Sequence, residues 1–488
     1  MAAPDDDALF PLEPVEEAGA IETKDAGPVE KTFRPYDQSQ MLLLPPSLDE
    51  WLPERHLARF VSELVEDALD LSAIRAAYTE ERGYPPYDPR LMLKLLIYGY
   101  CTGQRSSRGI ERRCQDDVGF RYLAAGAVPD YRSIARFRRR HQQALAGLFL
   151  QALRLCQRAG MVRLGKVALD GTKLRANASR HKAMSYQRMV EREGQLEAEI
   201  DRMLAEAEKV DAAEDERFGP DGRDDDLPDE LNRRVDRLVK IREAKAALEE
   251  ESRRAAGKRA AERAAAKNLD EMARNAAVEE AVSKAVPRPR AQRNFTDPDA
   301  GIMKMSDGSF HECYNGQAVV DEEQQVIVAA DLTQCASDAP SLLPMLEMTT
   351  TNCGQSPSQL LADSGYCSEE SLKVLSQSKV DALIATGRWE HGKPPPPVPR
   401  GRIPANATAR ERMARKTRTK AGRAGYARRK AIVEPVFGQM TILQGARHLL
   451  LRGREAAAAE WLLLCACHNL RKLFQAGGTN GLTEPALA

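Results

Sequence analysis

The 488-residue chain predicts a mixed α/β fold: a sheet flanked by helices follows an all-α N-terminal region and is interrupted by a long helical insertion. Three observations carry this. From Trp51 to about Gly160 apolar residues recur at helical spacing. Residues 186–285 carry a heptad repeat in a charged background. Beyond Arg290 short apolar runs alternate with capped helices. A composition of 42% hydrophobic and 30% charged residues suits two or three globular domains rather than a disordered chain.

Residues 1–40 are acidic, rich in Ala and Pro and without periodicity, which predicts a disordered leader. Residues 41–160 read as a helical domain. Leu57, Phe60, Val61, Leu64 and Val65 mark one helix, and Asp88-Pro89 caps a second from Leu91 to Tyr100. Shorter helices follow, separated at Gly103, Gly119 and Ala125-Gly126. The last, Asp130 to His141, sets Ile134 and Phe137 on one side and Arg132, Arg136, Arg139 and Arg140 mostly elsewhere. It reads either as the recognition element of a helix-turn-helix or as a solvated amphipathic face.

Residues 161–185 begin the sheet, with the strand-like run Val167-Ala168-Leu169-Asp170-Gly171-Thr172. In 186–290, Met189, Leu196, Met203 and Val210 repeat every seven residues, with Ile200 and Ala207 between them. The Phe218–Pro228 stretch breaks the pattern, and Leu231, Val235, Leu238, Ile241 and Leu248 start a second helix. This predicts a coiled-coil hairpin arm, either a passive insertion or one that dimerises or grips DNA.

Residues 291–475 supply the rest of the sheet. Glu312–Val320 and Gln325–Asp331 read as an antiparallel hairpin; Ser337-Asp338-Ala339-Pro340 and Ser368 cap helices; Leu360–Asp363 and Val380–Thr386 read as strands. Residues 476–488 read as a flexible tail.

Charge is segregated. Formal net charge is zero, yet residues 1–30 are almost wholly acidic in their charge, whereas 400–430 holds twelve Arg or Lys against Glu411 alone. Arg400, Arg402, Arg410, Arg412, Arg415, Lys416, Arg418, Lys420, Arg423, Arg428, Arg429 and Lys430 make an electrostatic track suited to a phosphate backbone, against the alternative of a solvated loop. The nine cysteines are scattered, and Cys465-Ala466-Cys467-His468 sits among Leu and Ala, which favours packing over zinc and a reducing cytoplasm over export. No run approaches a membrane span, and the N-terminus is unlike a signal peptide.

Three acids stand at the edges of apolar segments. Asp170 closes its strand, Asp363 closes Leu360-Leu361-Ala362, and Glu434 opens a helix at Ile432-Val433-Glu434-Pro435. Pro435 fits a first helical turn, which places Glu434 near the positive end of the helix dipole; Val436, Met440 and Leu443 then fasten that helix to the sheet. Carboxylates suit hard divalent ions, and two ions about 3.5–4 Å apart can clamp the attacking and leaving oxygens of a phosphodiester. Asp297, Asp299, Asp331 and Asp338 are explained as turn residues or caps, and His311 and His468 as packing or surface histidines.

From about residue 40 to 475 the chain resembles the DDE transposases of bacterial insertion sequences. The resemblance rests on the helical N-terminal domain, Leu169-Asp170-Gly171-Thr172, Ala362-Asp363-Ser364-Gly365-Tyr366 and Val433-Glu434-Pro435-Val436-Phe437-Gly438-Gln439, in that order. It implies an RNase H-like core, two Mg2+ ions for which Mn2+ substitutes, and double-stranded DNA as partner, both element ends and target. It further implies a homodimer or higher oligomer on DNA. Asp170 would bridge both ions, Asp363 and Glu434 would each hold one, and cleavage would be followed by attack of the freed 3′-hydroxyl on target DNA. The family's signature around the glutamate places Tyr426 and Arg429 at their expected mutual spacing, but Glu434 comes one residue late, Lys430 stands nearer it, and Thr441 holds the expected lysine position, for which Arg447 or Arg452 would substitute. A nuclease of the same fold and a catalytically silent DNA-binding derivative are the alternatives.

Overall fold

The computed structural model describes residues 47–78, 86–179, 182–218, 229–387, 397 and 401–477, leaving aside the side chains of 207–218 and 229. The predicted leader at 1–40, the 219–228 break, Arg400 and the tail beyond 477 lie outside the described residues.

The N-terminal helices are α1 (Leu57–Glu63), α2 (Ser72–Arg75), α3 (Pro89–Thr102), α4 (Ser107–Asp116), α5 (Val118–Leu123), α6 (Tyr131–Arg140) and α7 (Gln142–Arg158). Asp88 caps α3 by accepting from Arg90 N, Pro89 fills its first turn, and Gly103 ends it in the left-handed region at φ 81°. Gly119, expected as a separator, lies inside α5, because Asp117 accepts from Phe120 N and starts the helix earlier.

The main sheet contains β1 (Lys166–Arg175), then, beyond the small two-stranded β2 (Ala183–Ser185) and β3 (Gln292–Asn294), β4 (Gly301–Lys304), β5 (Phe310–Asp321), β6 (Ile327–Thr333), β7 (Gln359–Ala362) and β8 (Asp381–Ile384). Its order is β4-β5-β1-β7-β8, with β6 also paired to β5. β6, β5 and β1 run antiparallel in succession, while β7 and β8 add in parallel to β1. This is the RNase H-like mixed sheet. Val167–Leu169 and Leu360–Ala362 are wholly buried, as strands covered on both faces require. The covering helices are α11 (Leu342–Cys353), α12 (Glu369–Gln377), α13 (Ala409–Arg418), α14 (Lys420–Leu443) and α15 (Arg454–Gln475).

One apolar core runs from Leu52 to Leu473, so the N-terminal helices and the sheet share an interior. Helix α15 is its hub, packed on α3, α7 and β6. At that junction Arg105 pairs with buried Glu460 at 3.1 Å, and Glu460 also accepts from Tyr100 Oη and from the amides of Leu450 and Leu451. With its acceptors filled, the buried carboxylate is held rather than stranded.

The insertion has its own core. Met189, Leu196 and Ile200 of α8 (Tyr186–Phe218) meet Leu231, Leu238, Ile241, Ala244 and Leu248 of α9 (Asp229–Ala266). Val235, expected in that seam, is 39% exposed. A third helix, α10 (Glu271–Ser283), packs along α9, and a Cβ at Gly257 would come within 3.1 Å of Val282. The arm is therefore more than a hairpin; α10 buries no residue fully, and its Ala-rich sequence shows little amphipathic signal.

Candidate active site

Asp170 does not end its strand. β1 continues to Arg175 on β5, but its parallel neighbour β7 stops at Ala362, which pairs with Leu169. Asp170 and Asp363 are therefore the next residues along adjacent strands, at the point where β7 ends. This is where ligands meet open α/β sheets. Asp363 accepts from Gly365 N at 2.8 Å and starts a short 3-10 turn at Ser364–Tyr366. Burial raises the Asp170 carboxyl above its ordinary range; Arg429 opposes this, and the negative field of Asp363 adds to it.

Arg429 Nη1 donates to Asp170 Oδ2 at 2.8 Å from α14. Tyr426 lies in the same cluster, its hydroxyl raised by burial in the fields of Arg429, Asp363 and Asp170. Of the two residues singled out before Glu434, Arg429 bonds Asp170 directly, and Tyr426 lies in the field of both aspartates. Glu434 is exposed and lies inside the helix, which does not begin there. Thr419 caps α14 by accepting from Gly422 N, and the helix runs unbroken through Pro435. Pro435 has no N–H for the Ala431 carbonyl one turn back, and Gln325 Nε2 donates to that carbonyl at 3.1 Å instead. The expected dipole position of Glu434 is accordingly corrected. Ile432, Val433, Val436 and Met440 face the core, whereas Leu443, expected to fasten the helix, is 39% exposed.

A further carboxylate adjoins the pair. Asp338 makes no cap hydrogen bond. Its Oδ1 accepts from Asn315 Nδ2 at 2.6 Å and Gln317 Nε2 at 3.0 Å, and Lys173 lies 3.6 Å away. Buried Tyr366 donates to Gln317 Oε1, which orients the amide. The Tyr366 hydroxyl is pushed up by burial first and then by Asp338, Asp170 and Asp363, which places it in the field of all three acids. The glycines of the two sequence motifs follow from this crowding. A Cβ on Gly171 would lie 2.6 Å from Gln317 Nε2 and 2.9 Å from Asp338 Oδ1; one on Gly365 would lie 3.0 Å from both Asp338 Oδ2 and Asp363 Oδ1. Local sequence does not reveal the place of Asp338, because it depends on the register of β5.

As a donor set, Asp170 and Asp363 fit a hard divalent cation: two adjacent carboxylates, one desolvated, with a compensating positive charge already drawn to them. Among the described residues no group of three or more His, Cys, Asp or Glu side chains is placed to hold a metal ion.

The other residues singled out for DNA contact are distributed. On α6, Arg136 and Arg139 are exposed. Arg132 donates to Tyr131 Oη at 3.2 Å. Arg140 donates to the Ala77 carbonyl and stacks 4.8 Å over the Tyr78 ring, so it serves packing as well. From Ala409 onward the 400–430 run forms α13 and α14, while residues 401–408 are non-helical. There Arg415 donates to the carbonyls of Gly401 and Arg402, Lys416 pairs with Asp381, and Lys430 is exposed. Cys465, Cys467 and His468 are buried in α15. No helix of the described residues is long and apolar enough to cross a membrane.

The family described as "Transposase domain (DUF772)" matches residues 46–140, and that described as "Transposase DDE domain" matches residues 283–470. No curated protein and no solved structure matches the chain. Asp363 and Glu434 lie in the second matched segment. Asp170 lies in neither; along the chain the arm separates β1 from the rest of its sheet.

Proposed function

The chain belongs to the DDE transposases of insertion-sequence type, and from that premise we propose that it binds the ends of its element and catalyses DNA cleavage and strand transfer at Asp170 and Asp363. The observation that supports this best is the register of β1 and β7, which makes the two aspartates neighbours at the mouth of the sheet. Members of such a family use divalent metal ions and act on DNA.

Asp170 and Asp363 would hold the cation, Mg2+ or Mn2+. When bound it supplies Lewis-acid polarisation of the phosphodiester and a more acidic attacking water or 3′-hydroxyl. Glu434 remains the proposed third carboxylate on the match of Val433-Glu434-Pro435-Val436-Phe437 to the family's motif. Arg429 keeps a guanidinium beside Asp170, where its charge would favour a bound phosphate. Asn315 and Gln317 fix Asp338 beside the pair, where it adds to the negative field. Lys430 and Arg418 on α14 and α13, with Arg136 and Arg139 on α6, are the proposed backbone and end contacts.

The test is incubation of supercoiled plasmid carrying candidate element ends with the protein, with and without magnesium. Joined products that require magnesium support a transposase. Cleavage without joining selects the nuclease reading, and end binding without cleavage selects the silent derivative.

A further inference from the structure

On the arm, a minority of the described basic side chains are matched with acids. Arg192 and Arg234 meet Glu199, Arg242 and Lys245 meet Glu193, Arg253 and Arg254 meet Glu250, and Arg293 meets Glu251. Among those with no ion pair to a described acid, three line up beside a cavity. Arg233, Arg237 and Lys240 of α9 follow i, i+4, i+7 spacing, so they share one helix face. With Lys182 from the start of β2 they line a cavity of about 570 Å³, whose floor includes Met184, Ile241 and Phe295. Asp236 is the one acid among the lining residues. All four cations are exposed, and no ion pair joins any of them to an acid among the described residues.

Four unmatched cations around a concave surface favour an anion, and their spacing favours a polymer. The α9 stripe is about 10 Å long at 1.5 Å per residue, and one strand carries a phosphate about every 3.4 Å of the duplex axis, so a stripe laid along that axis spans some three nucleotides.

We propose that this groove is a DNA backbone site: Lys182, Arg233, Arg237 and Lys240 grip the phosphates of one strand of duplex DNA, and the arm is a sequence-independent clamp. The proposal rests on the transposase reading and assigns the insertion a role that reading leaves open. The apolar seam of α8 and α9 holds the stripe rigid, so binding orders four side chains and little else.

The test uses the full chain and a random-sequence duplex of about 30 base pairs, titrated by fluorescence anisotropy across a salt series. The variant Arg233→Ala/Arg237→Ala/Lys240→Ala, at exposed positions, is compared with Arg253→Ala, an ion-paired arginine of the same helix. The triple variant is expected to bind about tenfold or more weakly at low salt and to show a log–log salt slope flatter by about two to three, at roughly 0.9 per neutralised phosphate. Arg253→Ala is expected to match the wild type, and Arg233→Lys/Arg237→Lys to restore most of the slope. Wild-type binding with an unchanged slope in the triple variant overturns the clamp and leaves the transposase reading standing. Absence of wild-type binding to any duplex overturns that reading and the clamp with it.

Discussion

Arg429 donates a 2.8 Å hydrogen bond to Asp170, so the helix expected to deliver a carboxylate to the two aspartates brings a guanidinium to one of them. The side chains are 11% and 21% exposed, so water screens the pair only in part. Arg429→Gln leaves Asp170 desolvated beside Asp363 without its guanidinium partner; it is expected to cost about 1–3 kcal/mol of stability without metal. The same variant is expected to gain more thermal stabilisation from added Mg2+ than the wild type does, since a cation then has no competitor. Equal magnesium responses in the two proteins would show that Arg429 and the cation do not share a site.

Asp338 separates charge from scaffolding. Asp338→Asn retains an acceptor for Asn315 and Gln317, so melting is expected to be little changed, while cleavage of element-end DNA falls by about 10- to 100-fold, the usual cost of removing a group that supports metal ligands. Asp338→Ala strands two buried donors and is expected to destabilise by about 1–3 kcal/mol. Full activity in Asp338→Asn would reduce the residue to a structural acceptor.

The basic helices divide by sequence dependence. Arg136→Ala and Arg139→Ala are expected to cost about 1–3 kcal/mol on element ends and much less on random duplex. Neutralising Arg418 and Lys430 is expected to weaken all duplexes alike and to flatten the salt slope by about one for each phosphate left without its cation. Arg140 is a poorer probe than its neighbours because it also packs on Tyr78. Equal weakening on both DNAs for the α6 variants would make that helix a phosphate clamp.

His468 supplies a pH dependence away from the site. It lies 2% exposed in α15 with Nε2 3.0 Å from the Gln325 carbonyl, and burial, aided by Lys472 and Arg471, lowers its imidazole to about 4. A histidine whose folded value is depressed stabilises the native state above its unfolded value near 6.5, and that stability is lost as pH falls toward 4. The loss is expected to approach about 3 kcal/mol. Denaturant melts from pH 7 to pH 4 should show it, and His468→Gln should flatten the curve.

Much of this architecture is local and therefore legible in the sequence. The Asp88-Pro89 cap, the 310–333 hairpin and the strands leading to Asp363 follow from propensity, capping and alternation within a few residues. The features that escape a sequence reading depend on distant partners. Pro435 reads as a helix start until Gln325, more than a hundred residues earlier, is seen to satisfy the Ala431 carbonyl. Asp338 reads as a cap until the β5 register brings Asn315 and Gln317 to it. Asp170 reads as a strand end because its sequence does not show that β1 outruns β7.

The central claim is that Asp170 and Asp363 together perform metal-dependent DNA chemistry. The most direct measurement is magnesium-dependent cleavage and joining of an element-end plasmid by the wild type and by Asp170→Asn, with end binding measured in parallel. Asp170→Asn preserves shape and removes a charge, so it is expected to bind ends at near wild-type affinity and to yield neither cleaved nor joined product. Cleavage by Asp170→Asn at near wild-type rate would contradict the account and move the catalytic centre away from this pair.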